Sequence, residues 1–102
     1  MNQSQIPSTA QNLVWGYQIV PEILEAHEKL VLEEDRLVKR ISTLERIISV
    51  ILNLIYKEGD SLDLKTIEES INSLHTVLQD LNTELLHVRL EKSLVTHKHD
   101  FI

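Results

Sequence analysis

The chain has 102 residues, enough for one small domain, and a formal net charge of −6 at pH 7. This acidic balance argues against a nucleic-acid-binding domain, which carries a basic stripe. The absence of cysteine excludes disulfides, thiolate zinc sites and a cysteine nucleophile. Hydrophobic residues make up 42% of the chain and aromatic residues 4%, with two glycines and two prolines. That composition is typical of helix bundles and not of β-sandwiches.

Residues 1–20 form an N-terminal arm without a charged side chain. We predict that the arm is largely disordered or contains a short helix. Its two large aromatic residues, Trp15 and Tyr17, either cap the open end of a bundle or act as docking anchors, because aromatic side chains make strong interface contacts. The first residues lack the charged and apolar regions of a secretory signal, so we expect an intracellular, soluble protein.

A first helix is predicted over residues 21–58. Pro21 suits the first position of a helix. No glycine or proline follows until Gly59, which we expect to end the helix in the left-handed conformation. Between Leu30 and Ile55 apolar residues recur at alternating spacings of three and four. This heptad pattern indicates a helix that buries a seam against another helix.

A turn over residues 59–62 and a second helix over residues 63–97 follow, and residues 98–102 form a tail. An aspartate or serine of the turn, or Asp63, is expected to cap the second helix. This helix has its own heptad seam, which only Lys92 interrupts. The chain therefore contains two long helices of matching pattern.

Two long helices joined by a short turn should fold as an antiparallel helical hairpin, a two-helix coiled coil. Counted outward from the turn, the numbers of facing residues sum to about 122, which pairs Leu44 with Leu78 and Ile55 with Ile67. We expect the half of the seam near the turn to be dry. The predicted seam consists of Leu37, Ile41, Leu44, Ile48, Ile51, Ile55, Leu64, Ile67, Ile71, Leu74, Leu78, Leu81, Leu85 and Val88.

Apolar residues beside the seam are more numerous than one hairpin can bury. We therefore predict that a second copy or another helical chain completes a bundle, as a homodimer or as a hetero-complex. The alternative is that these residues are ordinary scattered surface apolar residues. The predicted partner interface consists of Val31, Val38, Ile47, Leu52, Leu54, Val77 and Leu86.

His27 and Glu34 occupy seam positions where an apolar residue is expected. Either this end of the bundle opens to water, or the two polar residues fix the register or the choice of partner at a cost in stability. On the second interpretation Glu34 would pair with Arg89 or with an arginine of a partner.

Catalytic motifs are not recognisable, since the chain has neither a Gly-rich phosphate loop nor H-E-x-x-H. His97 and His99 would make only a weak metal site, so we expect no metal. Since no catalytic motif is present, we also expect no cofactor and no enzyme activity. The most apolar run, residues 47–56, is about half as long as a membrane span, and we expect none.

The leading hypothesis is a non-catalytic structural or adaptor subunit that assembles through its heptad seams and mediates protein–protein interaction. An alternative is a regulator that sequesters an amphipathic helix of a target protein in a groove near His27 and Glu34. A membrane-surface helix over residues 47–56 ranks last, because such helices carry basic residues and this chain is acidic.

Overall fold

A computed structural model describes residues 21–99. Helix α1 spans Pro21–Glu58, a 3-10 turn covers Gly59–Ser61, and helix α2 spans Leu64–His99. The two helices pack against each other as an antiparallel hairpin, which confirms the predicted all-α hairpin.

The hairpin divides into two compact units. One unit contains residues 33–88, which include the turn and the adjoining parts of both helices. Of the described residues, the other unit contains 21–32 and 89–99.

Helix α1 begins at Pro21 and runs for 38 residues without a glycine or another proline. Proline fits this first position because the missing N–H would have had no partner within the helix. Glu22 lies in the first turn and Lys57 in the last. Each charge opposes the partial charge of its own end of the helix, which favours the helical state.

The end of α1 differs from the prediction at Gly59, whose backbone is not in the left-handed region. Gly59 instead begins the 3-10 turn. The hydroxyl of Ser61 donates a hydrogen bond of 2.9 Å to the carbonyl of Glu58, and the N–H of Leu62 donates one of 3.2 Å to the carbonyl of Gly59. These bonds satisfy carbonyl groups at the end of α1, so the chain needs no left-handed residue there.

Asp63 stands immediately before α2. Its backbone carbonyl accepts a hydrogen bond of 3.2 Å from the N–H of Ile67, and its Oδ2 accepts one of 2.6 Å from the hydroxyl of Thr66. This is the position where aspartate favours the start of a helix. Helix α2 reaches His99, past the expected end at residue 97, because no glycine or proline interrupts it.

The core of the 33–88 unit is a cluster formed by Leu37 and Ile41 of α1 with Leu81 and Leu85 of α2. Leu37 is the most deeply buried of them, with 0% of its surface exposed. The cluster joins Leu37 with Leu85 and Ile41 with Leu81, the pairs that face each other in the register counted from the turn. The partly buried residues that pack against this cluster are Leu44, Leu78 and Val88.

Burial is deepest away from the turn, contrary to the expectation of a dry half next to it. The seam residues within 48–55 of α1 and 67–74 of α2 are half-buried. Around Leu37 the partly buried residues Leu44, Leu78 and Val88 pack against the cluster. Ile51 instead borders an open groove, so its side chain stays partly accessible.

In the other unit, none of the side chains described within 21–32 and 89–98 is fully buried. Ile23, His27 and Leu30 of α1 are half-buried, as are Lys92 and Val95 of α2. Polar residues at two of these five positions limit how much apolar surface this unit can bury.

Candidate protein–protein interface

The predicted seam residues are buried or half-buried in the structure, with one exception. Leu64 is 54% exposed because it is the first residue of α2. The register places it opposite Glu58, the last residue of α1, where no apolar side chain can cover it. Leu62 is half-buried in the turn. The heptad pattern did not predict the burial of Leu62 because that residue lies between the two helices.

The residues of the predicted partner interface are mostly exposed, as an unpaired interface would be. Val31 is half-buried. A contiguous exposed apolar surface marks an interaction site more often than scattered single residues do, so the arrangement of the remaining residues matters. The exposed residues are Val38, Ile47, Leu52, Leu54, Val77 and Leu86.

Within the 33–88 unit, one such arrangement, which we call the Ile47 edge, is formed by Ile47, Val50 and Leu54 of α1 and Val77 of α2. The three α1 residues follow spacings of three and four, so they form one stripe along the helix. Ile47 is 42% exposed, Val50 68% and Val77 43%. The register places Val77 within two residues of the level of Ile47, roughly 3 Å along the helix axis. Val50 was not among the residues of the predicted partner interface, although its spacing of three residues from Ile47 and four from Leu54 places it in the same stripe.

An open groove of about 430 Å³ runs along the Ile47 edge and is lined by Thr43, Arg46, Ile47, Val50 and Ile51. The hydroxyl of Thr43 donates a hydrogen bond of 2.8 Å to the carbonyl of Lys39. Because this hydroxyl is already satisfied within α1, covering it with an apolar surface leaves no unmet donor. The groove can therefore receive an apolar side chain of a partner.

Charged residues continue the same side of the hairpin toward the core cluster. The Nε and Nη2 atoms of Arg36 donate hydrogen bonds of 3.1 Å and 2.5 Å to the carboxylate of Glu33. These bonds, together with the charges of Arg36 and Arg40, hold the pKa of Glu33 below its ordinary value. Glu33 raises the pKa of Arg36, and the charge of Glu84 on α2 adds to this effect. Glu84 stands seven residues after Val77 in α2, at the equivalent heptad position, so it lies on this side of the hairpin.

The opposite edge of α1 carries single apolar residues instead of a stripe. Val38 and Leu52 of α1 are exposed, but Glu45 occupies the equivalent heptad position between them. On α2, Leu86 is 64% exposed, and Leu90, one turn further along and outside the 33–88 unit, is exposed as well. Within the 33–88 unit the Ile47 edge combines an apolar stripe with a groove, so we take it as the interface candidate.

Glu34 and His27, the predicted specificity residues, are both half-buried. They belong to different compact units, Glu34 to residues 33–88 and His27 to the other. Their role in partner choice stays a prediction. Trp15 and Tyr17, the predicted docking anchors, lie outside the described residues.

Within residues 21–99, no three histidine, aspartate or glutamate side chains converge in a way that would hold a metal ion. Neither described helix contains an apolar stretch of the length that a bilayer requires. Comparisons with protein-family models, with curated proteins and with solved structures find no match to this chain.

Proposed function

We propose that this chain is a non-catalytic structural or adaptor subunit that assembles with another helical chain through the Ile47 edge. The single observation that carries this proposal is the exposed stripe of Ile47, Val50 and Leu54, continued by Val77 of α2. Contiguous apolar surface of this kind is what a covering helix would bury.

Incomplete burial of the neighbouring seam supports the same function. Ile48, Ile51 and Ile55 are only half-buried although they face α2. Burying a large aliphatic side chain completely stabilises by about 1.5–3 kcal/mol relative to leaving it exposed. A third helix over the Ile47 edge would recover part of this free energy at Ile51, which lines the groove of that edge.

The alternative function, a regulator that sequesters a helix, would need an open groove near His27 and Glu34. Leu37, which is three residues from Glu34, is fully buried, so the seam is closed at the level of Leu37. A groove of the 33–88 unit lies beside Ile47 and Val50 instead. We therefore favour an assembly subunit over a sequestering regulator.

Two matched substitutions test the proposed function. Ile47→Glu places a carboxylate in the Ile47 edge, and Leu86→Glu places one at an exposed apolar residue of the opposite edge. Association should be measured by sedimentation of the purified chain alone and together with candidate proteins isolated from the cells that make it. We expect Ile47→Glu to weaken association about tenfold or more, because a buried unpaired charge is costly, and Leu86→Glu to leave it unchanged.

Two results would speak against an assembly subunit. In one, the purified chain is monomeric and no isolated protein binds it in a manner that depends on Ile47. In the other, Leu86→Glu and Ile47→Glu weaken association equally, which would move the interface away from the Ile47 edge.

A further inference from the structure

We propose that the occupant of the Ile47 edge is a second copy of this chain, with its α2 lying over α1 of the first copy and both turns at the same end. This inference rests on the proposed function and names the partner at that surface. It makes the assembly a two-fold pair of hairpins, a four-helix bundle in which each helix is antiparallel to its neighbours.

The register of the hairpin fixes which residues meet across this pairing. When two copies lie face to face with turns at the same end, each α1 residue faces the α2 residues at its own level in the other copy. The level is the one that pairs Leu37 with Leu85 inside each hairpin. Ile47 of one copy then lies within two residues of the level of Val77 of the other, roughly 3 Å along the helix axis, so the two exposed apolar residues can cover each other.

The charges on this side of the hairpin are complementary in the same arrangement. Helix α1 carries Arg36 and Arg40 before the apolar stripe, and α2 carries Asp80 and Glu84 within two residues of the same levels, roughly 3 Å along the helix axis, with all four exposed. The second copy brings its acidic pair over the basic pair of the first, and the reverse contact forms by symmetry. Charge complementarity of this kind favours one partner and one register over others.

The sizes of the facing residues are complementary as well. Val50 and Leu54 are the large residues of the stripe nearer the turn. Within two residues of their levels α2 carries Ser73 and Ser70, both exposed. Large side chains opposite small ones allow the layers of a bundle to interdigitate. A serine hydroxyl in a helix can bond to its own backbone, so covering it leaves no unmet donor.

The other face-to-face arrangement, with turns at opposite ends, places α1 over α1 of the second copy. It would bring Arg40 of one copy close to Lys57 of the other, because basic residues stand at both ends of the α1 stripe. It would also leave Glu84 without a basic partner in the second copy. Like charges facing each other disfavour this pairing.

Single-cysteine variants distinguish these arrangements, because the natural chain contains no cysteine. Ile47→Cys and Val77→Cys should be purified separately, one with a mass tag, then oxidised alone and after mixing. A disulfide needs Cα atoms within about 7 Å. We expect neither variant to cross-link alone, and the mixture to form mainly the disulfide between a cysteine at 47 and one at 77. The matched control, Val38→Cys mixed with Leu86→Cys, should stay unlinked.

Three results of these experiments would overturn the proposed pairing of two copies. Cross-linking of Ile47→Cys with itself would establish the arrangement with turns at opposite ends and overturn the proposal. A dimer by mass that forms none of these disulfides would also overturn it, while leaving assembly through another face as the function. A chain that is monomeric throughout, yet binds a different protein through Ile47, would overturn the second copy and keep the proposed function.

Charge reversal gives a second readout that does not depend on oxidation. In Arg40→Glu alone and in Glu84→Arg alone, like charges face each other between copies, and we expect the dimer to weaken about tenfold or more. In a mixture of the two variants every contact between copies is attractive again, although each hairpin keeps its internal like-charge contact. Restored dimerisation in the mixture is the expected result, and no restoration would contradict the proposed pairing.

Discussion

A β-carbon added to Gly59 would lie 3.8 Å from Cγ2 of Ile55, in ordinary van der Waals contact. The backbone of Gly59 is outside the left-handed region, so nothing in its conformation requires a glycine. The turn between α1 and α2 is held instead by the hydrogen bonds of Ser61 and Leu62.

Gly59→Ala should therefore stabilise the protein. Alanine restricts the unfolded chain more than glycine does, and where the native conformation accepts it the gain is about 0.4–1 kcal/mol. Urea denaturation of the two proteins, with the slope of each transition compared, measures this difference. A loss of stability of about 1 kcal/mol or more would instead indicate a left-handed residue at the end of α1 in solution.

The core cluster should dominate the stability of the 33–88 unit. Leu37→Ala removes a fully buried side chain and is expected to cost about 2–5 kcal/mol. Leu52→Ala, the matched control at a residue that is 54% exposed, should cost clearly less. Similar losses for the two variants by urea denaturation would mean that Leu52 is covered in solution or that Leu37 is not.

Asp63, the residue immediately before α2, should contribute to the stability of the protein. Asp63→Ala removes the carboxylate that accepts the hydrogen bond from Thr66, and loss of a helix cap costs about 0.5–2 kcal/mol. Asp60→Ala, in the 3-10 turn, serves as the control and should cost less. If thermal unfolding ranks the two variants in the opposite order, Asp60 rather than Asp63 supports the start of α2.

The ion pair of Glu33 and Arg36 should make a small, pH-dependent contribution. Because the pKa of Glu33 is lowered in the folded state, its contribution is present above the ordinary glutamate pKa and is lost as the pH falls through the lowered one. The melting temperature of the natural chain should exceed that of Glu33→Gln at neutral pH, and the difference should vanish in acid. In an Arg36→Met background the difference should shrink to the part that the charge of Arg40 contributes, and an undiminished difference would assign it to another group.

Much of the hairpin could be predicted because the heptad spacing of apolar residues is visible within each helical segment of the sequence. Leu37, Ile41, Leu81 and Leu85 stand at seam positions of the repeat, and their register follows from counting outward from the turn. Glycine and proline also mark the ends of α1 in the sequence.

Features that depend on neighbours across the fold were harder to predict. The conformation of Gly59 depends on which hydrogen bonds the turn makes, and a left-handed cap and a 3-10 turn both suit a glycine followed by aspartate and serine. The depth of burial at Ile51 depends on side chains beside the seam, which the heptad pattern does not rank. Val50 was missed because it lies outside the seam and becomes significant only together with Ile47 and Leu54.

In the proposed assembly a second copy completes the bundle over the Ile47 edge. The mass of the purified full chain, measured by light scattering on a sizing column over about a hundredfold range of concentration, tests it most directly. We expect twice the chain mass of 11.8 kDa, reached at the higher concentrations and lost in Ile47→Glu but kept in Leu86→Glu. A mass of one chain at every concentration would contradict the claim.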